Sequence, residues 1–207
     1  MSIKTVAFDY GGVICFPPLP HVADDLEKLT GIPSSQLDEL NRKYRGELDR
    51  GTYDGAGYFR FILSSAGVFH DDETLKKIVQ ADMDGWKRLN PASVQLMRDI
   101  KAAGFTLAIL SNMPVDFLIW AREHIPIFAE ADIAIFSCEH DLIKPEAEIY
   151  EKLREETQSD YGEIVFFDDL ADNIAKAREL GIQGFVWNGP EAARETLKQL
   201  DKGFDVL

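Results

Sequence analysis

Four short stretches of this 207-residue chain carry side chains capable of acting together on a substrate. The run Thr5-Val6-Ala7-Phe8 leads straight into Asp9, and Gly11 and Gly12 follow at once. Ser111-Asn112, Lys144-Pro145 and Asp168-Asp169 come later, the first and last of them also directly after apolar runs. Each has a plain reading alone. A strand-end aspartate caps a helix or a turn, Ser111-Asn112 before Pro114 caps the next helix, Lys144-Pro145 is a surface turn, and Asp168-Asp169 complements a helix dipole. Together they point elsewhere. Carboxylates brought from different strand ends into one crevice repel unless a cation sits between them. Magnesium favours one or two carboxylates with waters and phosphate oxygens. Hydroxyl, amide and ammonium donors beside it are what a phosphoryl group requires. The set reads as a carboxylate nucleophile, a magnesium ion and a phosphate clamp.

These residues meet only if their strands lie side by side. Uninterrupted apolar runs are the mark of parallel strands buried on both faces, and such sheets bind ligands at the carboxyl ends of their strands. The spacing predicts a strand over about residues 4–8, and Phe16-Pro17-Pro18-Leu19-Pro20 breaks regular structure after it. The pattern then turns helical. Val22, Leu26 and Leu29 end at Gly31; Ser34 or Ser35 caps a second helix through Leu37, Leu40 and Tyr44. Tyr58, Phe59, Ile62 and Leu63 form a third face, and Asp71-Asp72-Glu73 opens a fourth helix. From Asn90-Pro91 onward helices alternate with strands at about 105–110, 133–136, 164–167 and 184–187, and the last helix runs to Lys202. That alternation predicts a doubly wound, Rossmann-like parallel α/β sheet. The expected division is a core of residues 1–15 and 91–207, interrupted by an all-helical insert over 16–90.

Composition narrows the partners. A 45% hydrophobic content is ordinary for a globular protein. The formal charge of −14 argues against nucleic acid or an anionic membrane surface as partner. Cys15 and Cys138, only two and far apart, read as reduced thiols. No basic-then-apolar leader opens the chain and no apolar run reaches membrane-spanning length. The expectation is a cytoplasmic protein, monomeric or weakly dimeric, with a small-molecule partner.

In order and spacing the four stretches resemble the four motifs of the haloacid dehalogenase (HAD) superfamily: the strand ending in Asp9, then Ser111-Asn112, Lys144-Pro145, and Phe166-Phe167-Asp168-Asp169-Leu170-Ala171-Asp172-Asn173. The resemblance covers essentially the whole chain. The insert resembles that superfamily's C1 cap domain, and the glycine two residues after Asp9 resembles the bacterial glucose-1-phosphate phosphatase type. The resemblance implies that Asp9 attacks phosphorus and forms an aspartyl-phosphate. It implies that Ser111 and Asn112 bind phosphoryl oxygens and that Lys144 neutralises nucleophile and phosphate. It also implies that Asp9, Asp169 and the carbonyl of Gly11 ligate Mg2+, with Asp168 acting through a water and Asn173 supporting from behind.

Gly11 spares the metal, because the ligand there is a carbonyl. It removes the aspartate that, in most phosphatases of this kind, protonates the leaving alcohol, help typically worth ~10²–10⁴-fold. The resemblance therefore implies a magnesium-dependent phosphatase of a small, sugar phosphate-like phosphomonoester, with a good leaving group, a slow rate or a substitute proton donor. A 2-haloacid dehalogenase is the first rival, disfavoured by the acidic Asp169. A non-catalytic phosphate- or partner-binding protein is the second, disfavoured by the intact nucleophile, lysine and metal carboxylates. Around the leaving group, Arg45, Arg50, Tyr53, Tyr10, Phe16 and Trp86 are the candidates.

Overall fold

The computed structural model describes residues 2–207. Its sheet has five parallel strands: β1 (Thr5–Phe8), β2 (Thr106–Ser111), β3 (Ile133–Phe136), β4 (Ile164–Asp168) and β5 (Gln183–Val186), in the order β3-β2-β1-β4-β5. β1 thus lies in the middle, and the chain leaves it in both directions, as in other doubly wound sheets. Although the strands read as unbroken apolar runs, alternate residues serve two different cores. Val6, Phe8, Leu107, Ile109, Val165 and Phe167 pack on one face. Ala7, Ala108, Leu110, Ile164 and Phe166 pack on the other, under α8 (Ala147–Glu156) and α9 (Ala171–Glu179). The first face is covered by α5 (Pro91–Ala102), α6 (Val115–His124), the short α7 (Pro126–Glu130) and α10 (Pro190–Leu200).

Between β1 and α5 lie four helices: α1 (Pro20–Thr30), α2 (Ser34–Asp49), α3 (Gly55–Ser65) and α4 (Asp72–Gly85). They close on a core of their own that includes Leu26, Leu37, Leu48, Tyr58, Phe59, Ile62 and Leu75. The sequence signals for their ends largely hold. Gly31 ends α1 in the left-handed conformation at φ 73°. Asp54 and Asp71 cap α3 and α4 by accepting from the N–H groups of Gly57 and Thr74.

Two ends differ from the sequence expectation. Neither Ser34 nor Ser35 caps α2: Ser34 is already helical, Pro33 precedes it, and the Ser34 N–H donates to the Glu27 carboxylate at 2.8 Å. The last helix stops at Leu200 rather than Lys202, because Asp201 turns extended and accepts from the N–H groups of Ile3 and Gly203. A 3-10 turn over Lys202–Val206 then stacks Phe204 on Phe105, with ring centroids 3.8 Å apart. No helix among the described residues is long and apolar enough to cross a membrane.

Candidate active site

Strand register brings the polar residues together. Phe8 lies opposite Ile109 on one side and Phe167 on the other, so Asp9 emerges level with the ends of β2 and β4. The Asp9 N–H donates to the Phe167 carbonyl at 2.9 Å, fixing that level. Ser111 and Asp168 are the final residues of their strands. All three are buried.

Lys144 reaches the same point from the loop before α8. Its Nζ lies 2.6 Å from Asp168 Oδ2 and 2.8 Å from Asp9 Oδ1, with the side chain fully enclosed. The approach to Asp9 is an ion pair without hydrogen-bond direction, and Asp9 Oδ1 is a buried oxygen with no directed partner. Burial pushes the Lys144 ammonium down, but the Asp9 and Asp168 carboxylates outweigh it and hold it above the usual lysine value. Burial lifts the Asp9 carboxyl to about 7 despite Lys144, with the Asp168 charge adding to the rise and the Ser111 hydroxyl opposing it. Asp169 is also raised, by partial desolvation and by Asp168.

Asp168 is more fully engaged than the sequence suggested. Its two oxygens accept from Lys144 Nζ, from Asn173 Nδ2 at 3.0–3.1 Å and from the Leu170 N–H at 2.8 Å. Asn173 is buried, and its own carbonyl accepts from the Tyr150 hydroxyl. Asn112 lines the crevice, but its side-chain amide is committed to the Lys144 backbone. Its Oδ1 accepts from the Lys144 N–H at 2.8 Å and its Nδ2 donates to the Lys144 carbonyl at 3.0 Å, tying the lysine loop to the end of β2. Neither Ser111 nor Asn112 caps α6, whose N-cap is Pro114 with no side-chain bond.

Carboxylate oxygens of Asp9, Asp168 and Asp169 all lie within 4.8 Å of one another, a spacing that suits a metal ion. Three carboxylates face one ammonium, leaving negative charge unbalanced in the group. The donor set, all carboxylate oxygen, fits a hard divalent cation. Gly12 lets Asp169 come this close: its φ is +68°, and a Cβ there would lie 2.5 Å from Asp169 Oδ2. Gly11 has an ordinary backbone, and a Cβ on it would meet the Trp86 ring at 3.4 Å.

Above this group is a cavity of about 600 Å³ between the sheet edge and the helices α1–α4. Asp9, Gly11, Lys144 and Asp169 line its floor, and Arg45, Tyr10 and Trp86 line its wall. Arg50, Tyr53 and Phe16 do not. Arg50 pairs with Glu146 across the junction, Tyr53 stacks on Phe61, and Phe16 lies under the Arg88 guanidinium. Arg45 is a helix residue, not a loop residue, and is held by Asp49 and Asp82. Those two acids also face the cavity and were not singled out by the sequence. Asp49 is four residues from Arg45 along α2, but its cavity position and the approach of Asp82 from α4 appear only once the helices pack.

The fold and this crevice define an α/β protein of the doubly wound class, with a carboxylate at the end of its central strand. A model of the haloacid dehalogenase-like hydrolases matches residues 3–181, and the chain belongs to that family. It is 26% identical to "Phosphatase MT3486" of Mycobacterium tuberculosis over 90% of this chain and 88% of that one. It matches the longer bifunctional epoxide hydrolase 2 of Rattus norvegicus at 23% identity, spanning 39% of that protein. Among solved structures, a HAD family enzyme of Bacteroides thetaiotaomicron superposes with a TM-score of 0.78 at 19% identity, over 95% of this chain and 99% of that one. That enzyme has also been solved with magnesium and inorganic phosphate. A 2-haloacid dehalogenase of Pseudomonas syringae shares the fold at a TM-score of 0.64 and 18% identity, over 90% of this chain and 86% of that one.

Proposed function

We propose that this hydrolase is a magnesium-dependent phosphatase acting on a small phosphomonoester. The observation that carries the reading is Asp169 standing beside Asp9 and Asp168, with one lysine among three carboxylates. A nucleophile attacking carbon in a haloacid has no use for this excess of negative charge. The similarity to a mycobacterial phosphatase over most of both chains supports the same choice.

In this reading Asp9, Asp169 and the Gly11 carbonyl hold Mg2+, which when bound neutralises charge on the carboxylates and on the transferring phosphoryl group. Asp9 attacks phosphorus in line. The phosphorus–oxygen ester bond breaks as the carboxylate–phosphorus bond forms, and the leaving oxygen takes its proton from solvent. Water then attacks the aspartyl-phosphate, releasing inorganic phosphate and restoring Asp9. The Lys144 ammonium balances Asp9 before attack and the phosphoryl oxygens during it. The Ser111 hydroxyl and the backbone at Asn112 donate to those oxygens, while the Asn112 side chain holds Lys144 in place. Asp168, engaged by Lys144 and Asn173, keeps the lysine charged and oriented. Residues 1–15 and 91–207 act as the core, and residues 16–90 act as a cap whose closure excludes water from the transfer.

The test is a panel of phosphomonoesters and 2-haloacids, each with magnesium and with a chelator. Phosphate release that needs magnesium is the expected result. Halide release without metal would overturn the reading in favour of a dehalogenase.

A further inference from the structure

The floor and the roof of the cavity have opposite character. The floor holds Lys144 and the carboxylates, where a phosphate belongs. The roof is built from Val22 and Leu26 of α1, Leu37 and Leu48 of α2, Phe59 of α3 and Val79 of α4. Ser34 and the exposed Asp38 and Arg42 also line the cavity, while the less exposed polar groups already have partners. Arg45 is held between Asp49 and Asp82, Asn41 accepts from the Tyr58 hydroxyl, and Asp116 accepts from the Gly55 N–H at 2.6 Å.

A sugar buried here would bring several hydroxyls against aliphatic side chains, and each unmatched hydroxyl would lose its hydrogen bonds to water. The mouth continues the same character. Leu19 and Leu170 are 43% and 56% exposed, large apolar residues left open to solvent at its rim. Beside the floor, the Trp86 ring packs next to Gly11, 3.4 Å from where a Cβ would lie.

We propose that the leaving group is an apolar alcohol, so that the substrate is an alkyl monophosphate rather than a sugar phosphate. The phosphate end of this proposal rests on the phosphatase reading above. The apolar end rests on the cavity alone. A volume of about 600 Å³ holds a chain of eight or more carbons, since pockets for drug-sized ligands span roughly 300–1,000 Å³.

The experiment compares ethyl, butyl, hexyl and octyl phosphate with glycerol phosphate and glucose 6-phosphate, all esters of primary alcohols, with magnesium present. Full burial of a methylene is worth about fourfold in affinity, so even half of that effect lowers KM by more than about 50-fold from ethyl to octyl phosphate. Replacing the rim residue by Leu19→Asp weakens that dependence on chain length. A KM that does not change along the series, or that is lower for the sugar phosphate than for octyl phosphate, overturns the proposal. A parallel series of alkylphosphonates, titrated by calorimetry into the Asp9→Asn protein with magnesium, reads the cavity without turnover. If no ester is hydrolysed, the phosphatase reading fails; tighter phosphonate binding with chain length then still supports the apolar cavity, and flat or absent binding overturns it.

Discussion

Asn112 and Lys144 are joined by a pair of hydrogen bonds in which one side-chain amide satisfies both backbone groups of the other residue. The amide belongs to the end of β2 and the lysine to a loop well along the chain, so this pair decides where the only enclosed ammonium of the site stands. Asn112→Ala removes both bonds while keeping the backbone at this position. A shift of about 1 Å at a reacting group can cost 10²-fold, so kcat should fall by about that factor with a much smaller change in KM. Removing the two bonds should also cost about 1–2 kcal/mol of stability. An unchanged kcat in a folded variant would show that Lys144 is positioned by other means.

Gly12 makes the second prediction. Its left-handed backbone and the 2.5 Å approach of Asp169 leave no room for a side chain. Gly12→Ala should push Asp169 away from Asp9, and changes around metal ligands typically cost ~10–100-fold in metal affinity. The magnesium concentration giving half-maximal activity should rise by about that much, with activity recovering at saturating metal. Parent-like magnesium dependence would argue that Asp169 is not a ligand.

Much of this site could be read from the sequence, for a physical reason. Parallel strands buried on both faces leave no polar residue until they end, so Asp9, Ser111 and Asp168 announce themselves by following apolar runs. What could not be read depends on how separate elements meet. Asn112 has the chemistry of a phosphate donor, and nothing near it in sequence says that its amide is committed to Lys144. The support of Asp168 by Asn173 follows from the motif, but its bond from the Leu170 N–H depends on the turn between them. In the helical insert, periodicity marks the stripe that packs but not which polar residue lies beside the cavity: Asp49 and Asp82 line it while Arg50, Tyr53 and Phe16 do not.

Asp9 makes the pH prediction. Burial raises its folded pKa to about 7 from 3.8, so the folded protein holds this proton after the unfolded chain has released it. The group's effect on stability is therefore most favourable below pH 4 and declines as pH rises through 7. Asp9→Asn, which has no such proton, should gain stability relative to the parent between pH 4 and 8 in a chelator, and should have no phosphatase activity. Urea titrations of both proteins across that range give the measurement. A stability difference that stays level with pH would mean that Asp9 is ionised throughout.

Gly11 makes the last prediction. With glycine at position 11, no carboxylate two residues after Asp9 can protonate the departing oxygen. Rate should then depend steeply on the acidity of the leaving group. General acid catalysis usually supplies ~10²–10⁴-fold to poor leaving groups and little to good ones, so 4-nitrophenyl phosphate should exceed phenyl phosphate in kcat/KM by well over tenfold. Gly11→Asp should reduce this dependence, because a Cβ there meets the Trp86 ring only at an ordinary contact distance of 3.4 Å, raising the rate on the phenyl ester more than on the nitrophenyl ester. A shallow dependence in the parent would instead place the proton donor in the helical insert. Asp49, raised above the usual carboxylate range by burial against the pull of Arg45 and lining the same cavity, would be the residue to replace next.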